Sequence, residues 1–382
     1  MKKSYLLSPG PTPVPERVLL AMAQPVIHHR TPQFSKIFGE AAEKLKGLFH
    51  TKNDVIILSS SGTGAMESAV TNCFTKGEKV LVINAGKFGE RWGKIAEAFD
   101  LKVTWMNVVW GETASPAEVK AALDADPEIK GVLMQATESS TTVKLPVKEI
   151  AEITKGRDVL LVVDGITGVG VFDVPMDDWG VDILICGSQK AMMLPPGLAF
   201  IALNDRAWAR ADKAKNTNFY FNLKRERKNL KDKTTAFTPA VSLVYGLREA
   251  LLMMEEETYP KVFERHAVLG RAVRAGTAAL GLKPVTKHFS EAMTGVFLPE
   301  EVNGKKFVKS LRDDFGVTFA GGQDSWEGKI IRIAHLGYFT EFDMIIAMSS
   351  IEMALDKFGV KIKFGSGVAA AQEILRDRFE VK

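Results

Sequence analysis

The sequence predicts an α/β fold, with a large domain on a mostly parallel sheet covered by helices and then a smaller α+β domain. The chain has 382 residues, and a single hydrophobic core stops growing at roughly 250–300 residues. Between residues 54 and 203, short apolar runs alternate with amphipathic stretches, as is typical of strands and helices around a parallel sheet. Beyond residue 258 the apolar and helical segments are fewer, which indicates the second domain.

The first sixteen residues are expected to form an extended arm. They contain four prolines, which fix φ and lack a backbone N–H donor: Pro9, Pro11, Pro13 and Pro15. We assign residues 1–16 to this arm, residues 17–258 to the large domain and residues 259–382 to the small domain.

The predicted elements follow in order from the arm. Strands of the large domain are expected at residues 54–58, 79–83, 102–108, 131–134, 159–163, 182–186 and 198–203. The run Val159–Val163 contains only Val and Leu, which indicates a strand buried on both faces. Helical patterns of the large domain lie at residues 63–74, 91–99, 116–123, 147–154 and about 239–257. The small domain is expected to have strands at 293–298 and 329–334 and helices at about 261–280, 304–315 and 340–358.

Composition excludes several classes of partner. The net charge of +4 is too small to indicate a nucleic-acid partner, and the basic stretch Lys224–Lys233 contains acidic residues, which favours a solvated loop or helix face. Cys73 and Cys186 cannot form a framework of disulfides. We find no signal peptide and no apolar run of about 20 residues, so we expect a cytoplasmic protein without a membrane partner.

Chemistry is expected at the carboxyl ends of the parallel strands, where sheets of this kind bind ligands. The first polar group there is the turn Ser59–Glu67, whose small residues lead into a predicted helix. Free N–H groups and the positive end of the helix dipole would form a cradle for a phosphate or carboxylate. Ser and Thr before a helix are also common as plain N-caps, so this turn alone decides little.

A lysine follows another buried strand directly. Lys190 ends the segment Gly187-Ser-Gln-Lys190, and the rigid Pro195-Pro-Gly197 comes shortly after it. Burial and nearby positive charge would lower the pKa of its amine, as imine chemistry requires. Taken in isolation, it could equally be a surface lysine.

Two further strand ends carry polar side chains. Asp164 closes the strand that begins at Val159, and its carboxylate could form a turn, bind a metal or pair with a protonated ring nitrogen. Glu138-Ser-Ser-Thr141 follows the strand at 131–134, and its hydroxyl groups could donate to a ring oxygen or a phosphate.

Together these four groups fit one ligand, pyridoxal phosphate. That cofactor needs an anion cradle, a lysine amine, a donor near its phenolic oxygen and an acidic partner for its pyridine nitrogen. An ionised Asp164 would keep that nitrogen protonated, so the ring could accept electrons when a Cα proton leaves. No metal site is expected.

These residues resemble the class V aminotransferases, in particular the alanine–glyoxylate and serine–pyruvate (or serine–glyoxylate) enzymes. The similarity runs over nearly the whole chain, and the lysine segment with its Pro-Pro-Gly is its most specific part. The opening Leu6-Leu-Ser-Pro-Gly-Pro-Thr resembles the family's arm, and Ser61-Gly-Thr63 its phosphate turn. The resemblance implies the fold of a fold-type I pyridoxal-phosphate-dependent transferase.

Carried over residue by residue, the resemblance implies the cofactor-binding set. Lys190 would form the Schiff base, Asp164 would contact the ring nitrogen, and Ser139 would lie at the ring. Four residues would hold the phosphate: Ser61, Gly62, Thr63 and Gln189.

The resemblance also implies a homodimer with active sites at its interface, because Thr238 would reach the phosphate of the neighbouring subunit's cofactor. Thr235 stands where some relatives carry a Tyr that helps to hold this phosphate. The neighbouring subunit is therefore expected to bind the cofactor phosphate less tightly than in those relatives.

Phe88 matches the aromatic residue that stacks on the ring in the family. Many relatives have Trp there, and helical spacing would put Trp92 on the same face, so Trp92 is the alternative. Arg332 would bind the substrate α-carboxylate with its planar fork, although by itself it could be a charge at a strand end. Gly10 would contact the same carboxylate through its backbone.

The implied reaction is a ping-pong amino transfer from a small L-amino acid, serine or alanine, to a small 2-oxo acid, glyoxylate or pyruvate. In it, the Lys190 amine would carry the proton between the substrate Cα and the cofactor. Aspartate, phosphoserine or aminophosphonate aminotransferases are the alternatives, and each needs a further cation, for which His28, His29 and Arg30 are available.

Three other functions fit the sequence poorly. A cysteine desulfurase needs a loop cysteine in the second domain, but no cysteine follows Cys186. Some relatives are named as soluble hydrogenase subunits, yet two scattered cysteines cannot supply a thiolate metal site. A binding protein that had lost its chemistry would have a replaced lysine or aspartate, and Lys190 and Asp164 are both intact.

Overall fold

The computed structural model describes residues 3–379, so the outermost ends of the predicted arm and small domain, residues 1–2 and 380–382, lie outside the described residues. The helices are α1 Glu16–Met22, α2 Pro32–Phe49, α3 Gly62–Cys73, α4 Lys87–Ala98, α5 Pro116–Ala125, α6 Val147–Thr154, α7 Met176–Trp179, α8 Asp205–Lys213, α9 Leu223–Leu230, α10 Val241–Glu257, α11 Tyr259–Ala279, α12 Gly304–Asp313, α13 Glu341–Lys357 and α14 Ser366–Leu375. The strands are β1 Tyr5–Leu6, β2 Val55–Ser60, β3 Lys79–Asn84, β4 Lys102–Asn107, β5 Ile129–Gln135, β6 Thr137–Glu138, β7 Val143–Lys144, β8 Leu160–Asp164, β9 Ile183–Gly187, β10 Gly197–Leu203, β11 Met293–Phe297, β12 Val317–Thr318, β13 Ala320–Gly321 and β14 Ile330–Ala334.

The main sheet has seven strands in the order β2-β10-β9-β8-β5-β3-β4. The pairs among β3, β4, β5, β8 and β9 are parallel, whereas β10 runs antiparallel to both of its neighbours. A short loop joins β9 to β10, and a connection of that length cannot make the crossover that a parallel pair requires. The predicted mostly parallel sheet of the fold-type I transferases is therefore confirmed, with one reversed strand.

Both faces of this sheet are covered, as the strand at 159–163 predicts. Along β8, Leu161 and Val163 point into one apolar cluster, while Leu160 and Val162 point into the other. Helices α2, α6 and α10 contribute to the first cluster, and α3, α4 and α8 to the second. Because successive side chains of a strand point to opposite faces, a strand between two helical layers must be apolar throughout.

The later part of the chain has a smaller sheet with the order β11-β14-β13. Helices α10 and α11 meet at Thr258, whose φ of +72° ends one helix and starts the next. The division of the chain at residue 258 stays a prediction. The N-terminal arm packs against the later part of the chain. Its strand β1 pairs with β12 in parallel, with Tyr5 opposite Val317.

Several helices were not expected from the sequence, among them α1, α2, α8 and α14. Helix α2 has clear start signals that the sequence reasoning missed: Pro32 is its first residue, and the Thr31 side chain accepts a bond from Phe34 N–H. The basic stretch at 224–233 forms most of α9 and exposes most of its charges, although Glu226 is buried, which agrees with a solvated helix face. Within residues 3–379, no helix combines the length and apolarity that crossing a membrane requires.

Candidate active site

Most of the predicted site residues meet at one edge of the main sheet. Strands β2, β5, β8 and β9 all end there, and they deliver Ser61, Ser139, Asp164 and Lys190 within a few residues of their last positions. Asp164 is paired in register with Gln135 on β5 and with Ile185 on β9. The expectation that the chemistry lies at the carboxyl ends of the strands agrees with this placement.

Lys190 lies in a rigid loop between β9 and β10. Ser188 closes this loop, because its Oγ donates to the Pro195 carbonyl at 2.8 Å and accepts from Leu198 N–H at 3.2 Å. The Lys190 amine turns inwards and donates to the Pro9 carbonyl of the arm at 2.5 Å. Burial, together with the guanidinium of Arg332, lowers the pKa of Lys190 to about 8. It is therefore not an ordinary surface lysine.

Asp164 is 5% exposed at the end of β8. Its Oδ1 accepts from Ile166 N–H at 2.8 Å, and burial raises the pKa of its carboxyl to about 7. The charges of Lys190 and Arg91 act in the opposite direction and favour the carboxylate. A positive ring nitrogen placed next to it would do the same, because an opposite charge nearby stabilises the ionised form.

The turn 61–63, which is predicted to hold a phosphate, has polar groups open to a ligand. Ser61 is the N-cap residue of α3, but its side chain makes no capping hydrogen bond. A Cβ at Gly62 would lie 2.2 Å from Ile166 Cδ1, so the backbone of this turn approaches its neighbour closely. Among the described residues, the buried Oε1 of Gln189 has no hydrogen-bond partner. Polar groups without hydrogen-bond partners near a helix N-terminus are suited to binding a phosphate.

The turn after β5 does more than offer hydroxyl groups. Ser139 donates to Thr167 Oγ1 at 2.9 Å. Glu138 is fully buried, and its carboxylate accepts from Phe88 N–H at 3.1 Å, Gly89 N–H at 3.0 Å and Ser140 Oγ at 2.6 Å. Burial raises the pKa of Glu138, while these donors act to lower it. The sequence reasoning missed this anchoring role, whose signal was a carboxylate among hydroxyls directly after a buried strand.

The structure separates the two aromatic candidates. Phe88 is partly exposed in the first turn of α4. Trp92 is fully buried, and its indole N–H donates to the Met134 carbonyl at 3.2 Å. Only Phe88 is therefore open to a planar ligand. Arg91 was not predicted at all, although its guanidinium lies 4.8 Å from the Phe88 ring centroid and donates to Thr63 Oγ1 at 3.1 Å.

Arg332 is held firmly on β14, where it is 7% exposed. Its Nε donates to the Gly321 carbonyl at 2.9 Å and its Nη1 to the Ser139 carbonyl at 2.6 Å. Burial lowers its pKa to about 10, so it keeps its charge near neutral pH. Gly10 also belongs to this group, because a Cβ on it would lie 2.4 Å from Lys190 Nζ.

Thr238 lies on the outer surface of the same chain. It is exposed between α9 and α10, beside Ser59 and Phe237. Thr235 is buried and donates to the Phe237 carbonyl at 2.5 Å, so its hydroxyl is used within the segment. The predicted reach of Thr238 to a neighbouring subunit stays a prediction.

His28, His29 and Arg30, which could bind a second acidic group of a substrate, make other contacts in the structure. Arg30 is exposed, and its Nη1 donates to Thr234 Oγ1 at 2.7 Å and to the Thr235 carbonyl at 2.8 Å. The rings of His28 and His29 stack on each other with centroids 4.7 Å apart. Arg30 thus contacts the segment that leads to Thr238.

The two cysteines do not resemble metal ligands. Cys73 and Cys186 are both buried, and burial raises the pKa of each thiol to about 12. Thiolates are the form that binds metals. Over residues 3–379, no group of three or more His, Cys, Asp or Glu side chains is arranged to hold a metal ion.

Comparisons with known proteins agree with this geometry. A family model described as Aminotransferase class-V matches residues 4–338. A soluble hydrogenase small subunit from Synechococcus is 38% identical over 379 residues, which cover 98% of each chain. A serine–glyoxylate aminotransferase from Methylorubrum extorquens is 35% identical, over 98% of this chain and 96% of its own. The crystal structure of ureidoglycine–glyoxylate aminotransferase from Bacillus subtilis has a TM-score of 0.93 and 27% identity, over 98% of this chain and 99% of its own.

The family match covers most of the chain, and the fold agrees with it over nearly the full length. Enzymes of this family use pyridoxal phosphate, for which the strand ends described above provide an amine, an acid and an anion cradle. The chain belongs to the class V aminotransferases and is a pyridoxal-phosphate-dependent transaminase.

Proposed function

We propose that this protein moves the amino group of a small L-amino acid, serine or alanine, to a small 2-oxo acid, glyoxylate or pyruvate, in a ping-pong reaction. The observation that carries this proposal is the grouping of Lys190, Asp164 and Arg332, all largely buried and close enough for the charges of Asp164 and Arg332 to act on the pKa of Lys190. The serine–glyoxylate and ureidoglycine–glyoxylate relatives have glyoxylate in their names, which supports glyoxylate as the acceptor.

In this proposal Lys190 holds the cofactor through its amine. When bound, the cofactor supplies an electron sink that makes the substrate Cα proton acidic. Asp164 would keep the proton on the ring nitrogen, and Phe88 would hold the face of the ring. The freed amine of Lys190, whose lowered pKa leaves more of it neutral near neutral pH than in an ordinary lysine, would take the Cα proton and deliver it to a carbon of the cofactor.

Arg332 binds the α-carboxylate shared by every amino-acid and 2-oxo-acid substrate. The carbonyls of Gly321 and Ser139 hold its guanidinium in one orientation. A fixed fork recognises a planar carboxylate with two parallel hydrogen bonds. Because substrate and product both carry this group, Arg332 serves both halves of the reaction.

A small substrate is favoured over an acidic one. Aspartate, phosphoserine and aminophosphonates carry a second anionic group that needs a cation, and Arg30 already donates to Thr234 and Thr235. Substrates such as serine and alanine make no such demand.

The working unit in this proposal is a homodimer. Beside Thr238 lies an exposed aromatic cluster in which Phe219 is 76% exposed and Tyr220 is 46% exposed, and both rings contact Phe237. Exposed apolar groups of this size mark contact surfaces. A partner covering this cluster would also bring Thr238 towards the neighbouring site.

Single-turnover spectroscopy with a panel of amino acids tests the proposed substrates. The loaded enzyme is mixed with serine, alanine, aspartate or phosphoserine, and loss of the imine absorbance reports amino transfer to the cofactor. We expect serine and alanine to react fastest and glyoxylate to restore the absorbance. A faster reaction with aspartate or phosphoserine would replace the proposal with that alternative. Sedimentation of the loaded enzyme tests the dimer separately.

A further inference from the structure

Arg91 joins two parts of the site that are distant in the sequence. It lies on α4 three residues after Phe88, with its guanidinium 4.8 Å from that ring centroid. The same guanidinium donates to Thr63 Oγ1 at 3.1 Å, in the first turn of α3. Arg91 thus bridges the aromatic face and the phosphate turn.

The charge of Arg91 is not neutralised nearby. Its neighbour Glu90 pairs with Lys87 and Lys94 on α4 instead. Among residues 3–379, no carboxylate comes within ion-pair distance of Arg91. Its charge nevertheless acts on the site, because it opposes the rise in the pKa of Asp164 that burial causes and adds to the lowering of the pKa of Lys190. A guanidinium held in place without an anion at the edge of a site points to an anionic ligand there.

The phosphate turn itself contains no charge. Its residues are Ser61, Gly62 and Thr63, with Gln189 across from them. A helix N-terminus supplies only partial positive charge, whereas a phosphate ester carries close to two negative charges near neutral pH. The full positive charge that is hydrogen-bonded to this turn is the guanidinium of Arg91, which donates to Thr63.

We propose that Arg91 is a cofactor-binding residue of this chain, whose guanidinium, held between Thr63 and Phe88, supplies the counter-charge for the cofactor phosphate. This inference rests on the proposed placement of the phosphate at the turn 61–63. Arginine suits the position better than lysine, because its planar group can stack on Phe88 while one edge donates to Thr63 and the other N–H groups remain available.

The test compares pyridoxal phosphate with pyridoxal, which lacks the phosphate. Dissociation constants of both are measured by absorbance titration of apo-enzyme for wild type, Arg91→Gln and Arg91→Lys. We expect Arg91→Gln to weaken pyridoxal phosphate binding by about tenfold or more, as loss of a charge-assisted contact does, and to leave pyridoxal binding within about twofold. Arg91→Lys keeps the charge and is expected to lie between the two.

Lys94→Gln is the matched control, because it removes a positive charge from the same helix at a residue that pairs with Glu90. It is expected to change neither constant. An equal loss of both ligands in Arg91→Gln would mean that Arg91 only shapes the pocket, and this would overturn the proposal, as would unchanged binding of pyridoxal phosphate. Thermal unfolding of the apo-variants shows whether they fold.

Phosphorus NMR of the bound cofactor gives a second measurement. Removal of the counter-charge is expected to raise the pKa of the bound phosphate, so Arg91→Gln would show a pH-dependent shift that wild type and Lys94→Gln lack. Identical titrations in all three proteins would contradict the proposal. Failure of wild type itself to load cofactor on Lys190 would instead contradict the proposed function.

Discussion

The two edges of the main sheet use the same residue types in opposite ways. At the amino ends of the strands, Asp158 pairs with Lys130 at 2.6 Å, and its side chain is 74% exposed. At the carboxyl ends, Asp164 is 5% exposed. The hydrogen bond from Lys130 lowers the pKa of Asp158, whereas burial raises the pKa of Asp164 to about 7.

This difference separates stabilising charge from functional charge. An exposed carboxylate in an ion pair changes the free energy of unfolding little in either direction. A buried acid, amine and guanidinium with shifted pKa values cost stability, and such groups collect where chemistry needs them. The edge with Asp164 and Lys190, against which Arg332 of the smaller sheet packs, is therefore the candidate site on physical grounds alone. Each prediction below changes one group at this edge and sets it against a residue of the other edge or a neighbouring group.

The largest effect is expected from Lys190→Ala. Without the amine, the variant loses both the covalent hold on the cofactor and the proton carrier, so transamination should fall by roughly 10³-fold or more. Steady-state assays with serine and glyoxylate measure this loss. Lys130→Ala removes a lysine from the opposite edge and is expected to keep wild-type turnover. Near-normal turnover of Lys190→Ala would overturn the assignment.

Asp164→Asn is expected to follow, with a loss of roughly 10²-fold or more in turnover. The amide keeps the shape of the carboxyl but cannot hold a proton on the ring nitrogen as a carboxylate does. Single-turnover rates with saturating serine measure the effect. The matched change Asp158→Asn should leave the rate unaltered, and equal rates in the two variants would remove Asp164 from the mechanism.

Arg332→Ala is expected to weaken amino-acid binding by roughly 10- to 100-fold, as loss of hydrogen bonds to a charged group does. Cofactor loading should remain, since Arg332 is assigned to the substrate. Titration of the loaded enzyme with serine gives the affinity. Arg210→Ala breaks the ion pair with Glu78 at the other edge and is expected to have no such effect. Unchanged affinity in Arg332→Ala would move the carboxylate site elsewhere.

The smallest expected effect is a shift in the pH dependence of cofactor loading. The neutral amine attacks the cofactor, and the pKa of Lys190 is lowered to about 8 from 10.5. The loading rate of apo-enzyme should therefore rise with pH and level off above about 8 rather than above 10.5. Because the charge of Arg332 contributes to this lowering, Arg332→Ala should move the midpoint upwards. Stopped-flow absorbance measures both profiles, and an unmoved midpoint would contradict the coupling.

The sequence predicts the strands of the main sheet well, because apolar runs of strand length are a local signal. Turn motifs at the strand ends likewise identify Asp164 and Lys190. Sequence patterns fail where a side chain finds a distant partner. Glu138 binds the backbone of Phe88 across 50 residues, and Arg91 reaches Thr63 across 28.

The choice between two aromatic residues shows the same limit. Helical spacing places Phe88 and Trp92 on one face of α4, and nothing local separates them. The Met134 carbonyl on β5 accepts the Trp92 indole N–H and fixes that ring in the core. Only the neighbouring strand decides which ring remains open to the pocket.

The pairing of β1 with β12 bears on how the protein is made. Tyr5 leaves the ribosome well before its strand partner Val317, because the two residues are far apart in the sequence. A nascent chain can thus already possess the main sheet and the lysine loop while the segment that presents Pro9 to Lys190 has nowhere to dock. The Lys190 amine can therefore gain its Pro9 partner in a docked arm only after β12 has been synthesised.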